Sequence, residues 1–239
     1  MKNYQKKYSV RFSGFVSFGL VLGLGWNAYL ALPALSKVQP PSAANETNIA
    51  PGKAAEKAFD QGHYAEALDL FQAALKTEPN RIYWLRLMAE SYQYLGRFAE
   101  AEAVLTAALE RFPQEALLLE GMGWLKLFQK DFKAADSWLR KAWLQEPDGF
   151  WIQLNLAYAL LFQGKEAEAF ALLCQLGRSP EGPSLGTAMK KDFAKLAKFK
   201  ITHPDSDTLT ELFTSRCGLG LVLPEACTPK PAANKTTRP

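Results

Sequence analysis

A period of 34 residues, seen for example from Gly62 to Gly96, limits the fold of this 239-residue sequence more than any other feature. Four kinds of residue recur at that step: a glycine, an aromatic residue, an alanine and a proline. Self-similarity at such a period predicts stacked copies of one small unit, each in contact with its neighbours. In chain order the recurring residues are Gly62, Gly96 and Gly164; Tyr64, Phe98 and Phe132; Ala67, Ala101, Ala135 and Ala169; and Pro79, Pro113 and Pro147.

The unit from Ile82 to Glu115 has the pattern of two amphipathic helices joined by a turn. Gly96 separates the helices, because glycine readily adopts the positive φ that ends a helix. Pro113 ends the second helix, because proline cannot continue one. Two helices this short cannot bury both of their apolar stripes alone, so the unit requires copies of itself. The stripes are Leu85, Met88, Ala89 and Tyr92 in the first helix and Phe98, Ala101, Leu105 and Ala108 in the second.

Residues 50–177 resemble an array of four tetratricopeptide repeats. The family's small residue at the eighth place of each repeat is met by Ala55, Ala89, Gly123 and Ala157. The resemblance implies an all-α fold: a right-handed solenoid of about four helix pairs with a C-terminal capping helix, preceded by one N-terminal transmembrane or signal helix. The implied repeats are 53–81, 82–115, 116–149 and 150–180, followed by a capping region over 181–227.

In this family the first helices of successive repeats line a concave groove that holds a ligand. The resemblance therefore implies a groove whose lining becomes more aromatic toward its C-terminal end. The residues of this chain at the family's groove positions are Tyr83, Arg86, Glu90, Gln93 and Tyr94 in repeat two; Leu117, Glu120, Trp124, Leu127 and Phe128 in repeat three; and Trp151, Leu154, Tyr158, Leu161 and Phe162 in repeat four.

Two functions fit such a groove. The first is a scaffold that binds a protein or peptide through apolar or aromatic anchors, in the assembly, maturation or quality control of an envelope complex. A clamp for a C-terminal carboxylate is not expected, because the groove lacks a set of lysines and asparagines and Arg86 faces Glu90 one turn on. The alternative is an architectural subunit whose groove is filled by its own C-terminal segment, since monomers rarely leave such a surface open.

The N-terminal segment predicts membrane attachment. Four basic residues lie in 1–11, and residues 12–36 then carry no charge. As a helix this run would extend about 37 Å, enough to cross a hydrocarbon core of about 30 Å. We expect a single pass through the cell inner membrane with the N-terminus in the cytoplasm and the repeats in the periplasm, on a flexible linker over 37–52. The alternative is a cleaved signal peptide and a secreted or periplasmic protein. Gly19 and Gly23 form a weak signal for pairing of two such helices.

The C-terminal segment departs from the period. Residues 187–200 predict an amphipathic helix with lysines on its polar side, which could cap the array or touch anionic lipid or an acidic partner. A short helix follows from Thr208 to Gly218, and residues 228–239 look disordered. Outside the cytoplasm, Cys217 and Cys227 are candidates for a disulfide. We interpret Cys174 as a buried apolar filler.

No catalytic, cofactor-binding or metal-binding pattern is present in the sequence, so we do not expect an enzyme or a cofactor. The two histidines, His63 and His203, have neither a metal-ligand spacing nor a neighbouring nucleophile pattern. The net charge of +4 is carried by the first eleven residues, and the rest of the chain sums to zero. A broad basic surface for nucleic acid is therefore not expected.

Overall fold

The computed structural model describes residues 51–217, with side chains as far as residue 214. All regular structure in this range is helical. Ten α-helices occur in it: α1 Pro51–Asp60, α2 Tyr64–Thr77, α3 Ile82–Tyr94, α4 Phe98–Arg111, α5 Ala116–Phe128, α6 Phe132–Gln145, α7 Phe150–Leu161, α8 Glu166–Gly177, α9 Leu185–Lys198 and α10 Ser206–Cys217. A single 3-10 turn, Gly182–Ser184, precedes α9.

The helices α1–α8 form four stacked pairs, as the repeat predicts. Within each pair the two helices pack together, and the second helix of one pair also packs on the first helix of the next. The first helices of neighbouring repeats are in contact as well, so α1, α3, α5 and α7 lie side by side. The result is the predicted all-α solenoid.

The periodic alanines hold the two helices of each pair close together. Ala67, Ala101, Ala135 and Ala169 are at most 1% exposed. Gly123 occupies the family's small-residue place in repeat three, and a Cβ there would lie 2.5 Å from a side-chain carbon of Leu139. Small residues are therefore required at these positions because neighbouring helices occupy the space.

The periodic glycines end the first helix of repeats one, two and four. Gly96 has a φ of 76°, and the N–H of Arg97 donates to the carbonyl of Tyr92 at 2.9 Å, which closes the helix end. Lys130 occupies the same place in repeat three and adopts a φ of 61° without being glycine. Left-handed backbone costs a residue with a side chain roughly 1–2 kcal/mol, so this turn is held by the helices on either side.

The C-terminal helices begin and end close to the predicted positions. The amphipathic helix expected over 187–200 is α9, and the short helix expected from Thr208 is α10. Helix α10 packs tightly on α9, because a Cβ on Gly186 would lie 2.4 Å from the backbone nitrogen of Thr214. The ring of Phe213 lies 6.1 Å from that of Phe170, which joins α10 to α8.

Cys174 is disulfide-bonded, which corrects the interpretation of this residue as an apolar filler. The residue is buried, as its place in the second helix of repeat four predicts, and a half-cystine packs there as well as a free thiol does. The predicted partners Cys217 and Cys227 both lie outside the described side chains. The chain holds three cysteines, so an intrachain bond from Cys174 uses one of these two and leaves no room for the predicted bridge between them.

Several predictions fall on residues outside the described range: the membrane or signal segment over 12–36, the linker as far as residue 50, and the tail over 228–239. Between residues 51 and 217, no helix combines the length and apolar character that crossing a membrane requires.

Candidate functional site

The predicted groove residues lie together on the side of the array formed by α3, α5 and α7, and they are largely covered. Five of the fifteen predicted groove residues are half-buried, namely Tyr83, Arg86, Tyr94, Trp151 and Phe162. The other ten are buried, namely Glu90, Gln93, Leu117, Glu120, Trp124, Leu127, Phe128, Leu154, Tyr158 and Leu161.

A row of aromatic rings runs along this surface across three repeats. Tyr94 contacts Phe128 at 5.8 Å between ring centroids, Phe128 contacts Trp124 at 5.1 Å, and Trp124 contacts Tyr158 at 6.5 Å. We call these four residues the ring row. Edge and tilted contacts of this kind stabilise the packing beyond the area that they bury.

Trp151 and Phe162 were expected in the same row, but their ring contacts lie elsewhere. Trp151 meets Phe150 edge-on at 5.2 Å, and Phe162 stacks on Phe132 at 5.0 Å. Both side chains pack against the same C-terminal core cluster as the ring row. Their place at the edge of the cluster explains why they are less buried than Tyr158.

Helix α9 covers the ring row. Phe193 in the middle of α9 lies 5.2 Å from Tyr158, and Phe199 just after it lies 5.0 Å from Phe128. Lys195 places its ammonium group 5.6 Å from the centre of the Tyr94 ring. The helix therefore runs back along the side of the array formed by α3, α5 and α7, here called the concave side after the family's groove, from repeat four toward repeat two. A capping helix would stack on the end of the array instead.

A buried ionic cluster links three repeats beneath α9. Arg86 pairs with Glu90 in its own helix, and its Nη2 donates to Glu120 Oε2 at 3.0 Å. Asn155 Nδ2 donates to the other oxygen of Glu120 at 2.5 Å, and the hydroxyl of Tyr94 donates to Glu90 at 2.6 Å. Removing charges from water is costly, so this cluster is stable only because each charge is paired and hydrogen-bonded.

The pKa values in the ionic cluster follow from burial and charge. Burial raises the pKa of Glu120 above its ordinary value, although Arg86 acts to lower it. Burial would lower the pKa of Arg86, but Glu120 and Glu90 reverse this and raise it. The pKa of Tyr94 is raised by burial and by Glu90. Arg86 therefore stays charged at every physiological pH, and Tyr94 stays protonated.

A second polar group fixes α9 to the array. Asp192 is the acidic residue of α9, and it turns inward, where it accepts from the hydroxyl of Tyr158 at 3.4 Å. Lys195 lies 3.4 Å from its other oxygen. Burial raises the pKa of Asp192 to about 6, against the opposing effect of Lys195 and with a contribution from Glu90. The groups that face Asp192 are thus Tyr158, Lys195, Glu90 and Tyr94.

Two donors in the groove have no acceptor among the described residues. Trp124 Nε1 and Gln93 Nε2 are both buried and unpaired. An unpaired buried donor costs roughly 1–3 kcal/mol. Helix α9 therefore covers the ring row and accepts from the hydroxyl of Tyr158, but it leaves the indole N–H of Trp124 without an acceptor.

Sequence reasoning missed Asp192, Lys195 and Phe199 as groove-contacting residues. The signal was present in part, because Met189, Phe193 and Leu196 recur on one side of the 187–200 segment. That pattern shows that the helix buries one side. It does not show which surface covers that side.

Glu166, His203 and Asp205 bring their side chains within 4.8 Å of one another and are the one such group among residues 51–214 that could hold a metal ion. The Nδ1 atom of His203 already accepts a hydrogen bond from the backbone N–H of Asp205 at 3.2 Å. Its Nε2 therefore carries the proton in the neutral ring and is not free to bind an ion. We describe the group as a polar contact between α8 and the loop before α10.

Stacked helix pairs with a period of 34 residues define a helical-repeat solenoid, a class of fold that builds extended binding surfaces. Residues 58–125 match the family model described as tetratricopeptide repeat. This part of the chain therefore carries tetratricopeptide repeats.

Two solved structures show the same fold. TTC0263, a thermophilic TPR protein of Thermus thermophilus, is 21% identical, with a TM-score of 0.53 over 72% of this chain and 98% of its own. PilW, described as a widely conserved type IV pilus biogenesis factor, is 19% identical, with a TM-score of 0.52 over 74% of this chain and 91% of its own. No curated protein sequence matches this chain significantly.

Proposed function

We propose that this protein is a membrane-tethered scaffold that holds other proteins together outside the cytoplasm, in the assembly, maturation or quality control of an envelope complex, and that it catalyses no reaction. The observation that carries this proposal is the position of α9 along the concave side. Because Phe193 and Phe199 already cover the ring row, the scaffold is complete without a peptide in its groove. A partner then binds a surface that α9 leaves free.

The outer side of α6 supplies such a surface. Leu144 is 79% exposed, and Trp138 lies on the same helix, half-buried, with Lys141 Nζ 4.3 Å from its ring centre. Trp143 is also half-buried, and its Nε1 donates to the carbonyl of Pro147 at 2.9 Å. Tryptophan side chains in such positions carry a large share of the energy of protein interfaces. This part of the proposal corresponds to an architectural subunit whose groove is filled from within.

Photo-crosslinking tests the proposal in the full chain. A photoreactive residue in place of Leu144 should form adducts with a partner in intact cells, whereas one in place of Tyr158 should crosslink within the chain, to α9. Position 76, exposed on the outer side of α2, provides a matched control for non-specific collision. Adducts with a partner from position 158 and none from 144 would refute a scaffold that works through its outer surface.

The second candidate is a groove that exchanges α9 for a peptide. The unpaired donors Trp124 Nε1 and Gln93 Nε2 favour it, because carbonyl groups of an extended peptide could satisfy them. The crosslinking experiment separates the two functions, since exchange predicts adducts from position 158 that disappear when α9 is fixed in place by an engineered disulfide.

The tether is a separate part of the proposal. It is supported by the uncharged run over 12–36 that follows four basic residues. A reporter fused after Pro239 should be active outside the cytoplasm, and the chain should resist carbonate extraction from membranes. A mature chain that begins near Lys37 would instead establish a cleaved signal peptide.

A further inference from the structure

The charged side chains on the outward side of α9 are all basic. Lys190, Lys191 and Lys198 are exposed along the helix, and Lys200 is exposed just beyond its end. The one acidic residue of α9, Asp192, is buried against the groove. Every exposed ionisable side chain of this helix therefore carries a positive charge.

These lysines form no ion pair within the described part of the chain. None of the four side chains forms an ion pair or a hydrogen bond there, whereas Lys195, which points toward the groove, pairs with Asp192. Unpaired like charges in a row repel one another, so contact with an external anionic surface would lower their electrostatic free energy. We call Lys190, Lys191 and Lys198 the lysine face.

The opposite side of α9 determines the kind of surface that can bind. Met189 and Leu196 are fully buried and Phe193 is nearly so. The whole apolar side of the helix is therefore already in contact with the array. Helix α9 cannot bind a bilayer by inserting that side, as a free amphipathic helix would. The interaction left to it is electrostatic contact with a surface that lies outside the protein.

We propose that the lysine face binds the anionic lipid headgroups of the membrane that holds the chain. The inference rests on the tether in the proposed function. Fourteen residues separate the predicted membrane run, which ends at Ser36, from the start of α1 at Pro51. If this stretch acts as the predicted linker, a chain of that length would span about 20 Å, so the proposed tether would keep the array within reach of the bilayer. Near an anionic surface each lysine contributes roughly a fivefold gain in affinity, and three together give on the order of a hundredfold.

Amine footprinting of the full chain tests the proposal. The chain is reconstituted in vesicles of phosphatidylcholine, with or without phosphatidylglycerol, and acetylated with a reagent that does not cross the bilayer. On the anionic vesicles, the acetylation rates of Lys190, Lys191 and Lys198 should be at least roughly fivefold lower than on phosphatidylcholine alone. High salt should remove this protection. Lys133, exposed on α6, is the internal control and should react equally on both.

Charge reversal supplies a matched pair of variants. Lys190→Glu with Lys191→Glu should also abolish the protection of Lys198, because two negative charges then outweigh the one lysine that is left and the anionic membrane repels the face. Lys76→Glu with Lys133→Glu changes the net charge equally on the outer helices α2 and α6 and should leave the protection intact. Circular dichroism and melting curves confirm that both variants are folded.

Three results would overturn the inference: no protection on anionic vesicles, protection on phosphatidylcholine alone that salt does not affect, and protection in native membranes without protection on purified anionic vesicles. The last result would assign the face to an acidic protein. Failure of the tether is recognised separately, by release of the chain in carbonate. The lysine face is then tested by adding phosphatidylglycerol vesicles to the released chain and repeating the footprint.

Discussion

The hydroxyl of Tyr158 in repeat four donates to the carboxylate of Asp192 in α9, with 3.4 Å between the oxygen atoms. Both side chains are buried, and the rings of Tyr158 and Phe193 meet beside them at 5.2 Å. A titratable group thus lies beside the apolar packing between α9 and the groove. The free energy of that packing should depend on pH.

The pH dependence has a definite sign. The pKa of Asp192 is raised to about 6 in the folded chain, so folding favours its protonated form. The associated stability is fully present below the ordinary pKa of 3.8 and is lost as the pH rises to about 6, roughly 2–3 kcal/mol in all. Asp192→Asn should therefore gain stability relative to the wild type between about pH 4 and pH 6.5, as measured by urea unfolding at each pH.

Asp136 provides the control for this prediction, because its shift has the opposite sign. Burial would raise its pKa, but hydrogen bonds from Lys165 and Arg140 lower it below the ordinary value. Asp136→Asn should lose stability relative to the wild type as the pH rises through the range just below about 4. Parallel pH profiles for the two variants would contradict the assignment of the shift to Asp192.

Arg86 should be the most sensitive residue of the ionic cluster. Arg86→Met removes the one cation between Glu90 and Glu120 and leaves two buried carboxylates without a counter-charge. We expect a loss of roughly 3–5 kcal/mol at neutral pH, which should shrink in acid as the carboxylates become protonated. Arg140→Met, which removes a surface partner of Asp136, should cost less than about 1 kcal/mol. Equal losses in the two variants would show that the cluster is solvated.

The periodic alanines give a direct test of helix packing. Ala101 is 1% exposed between the helices of repeat two, so Ala101→Leu should overpack the contact and cost roughly 1–3 kcal/mol. Ala103 lies on the same helix and is exposed, and Ala103→Leu should change the stability very little. Thermal melts of the two variants provide the comparison, and an unchanged melting temperature for Ala101→Leu would mean that the register is wrong.

The disulfide of Cys174 can be traced with single variants. Thiol titration of the denatured, non-reduced chain should find one free thiol among three cysteines. Cys217→Ser and Cys227→Ser should differ, since one of them frees Cys174 and lowers the stability by about 2–4 kcal/mol while the other does neither. Peptide mapping that finds Cys217 linked to Cys227 would contradict the bond at Cys174.

The sequence by itself determined the repeat, the helix ends and the side of each helix that is buried. These are local properties: Gly96 sets a turn through its own φ, and Ala101 marks a close contact within a single repeat. The family resemblance then placed Trp124, Phe128 and Tyr158 on one surface, where the structure does bring them together.

Only the tertiary structure decided what covers that surface and how its charges are paired. An amphipathic pattern in residues 187–200 shows that one side of α9 is buried, but the same pattern suits a cap, a membrane surface or the groove. The choice of the groove depends on contacts such as Phe199 with Phe128 and Asp192 with Tyr158, between residues far apart in the chain. The link from Arg86 through Glu120 to Asn155 is equally non-local, because burial forces polar groups from three repeats to satisfy one another.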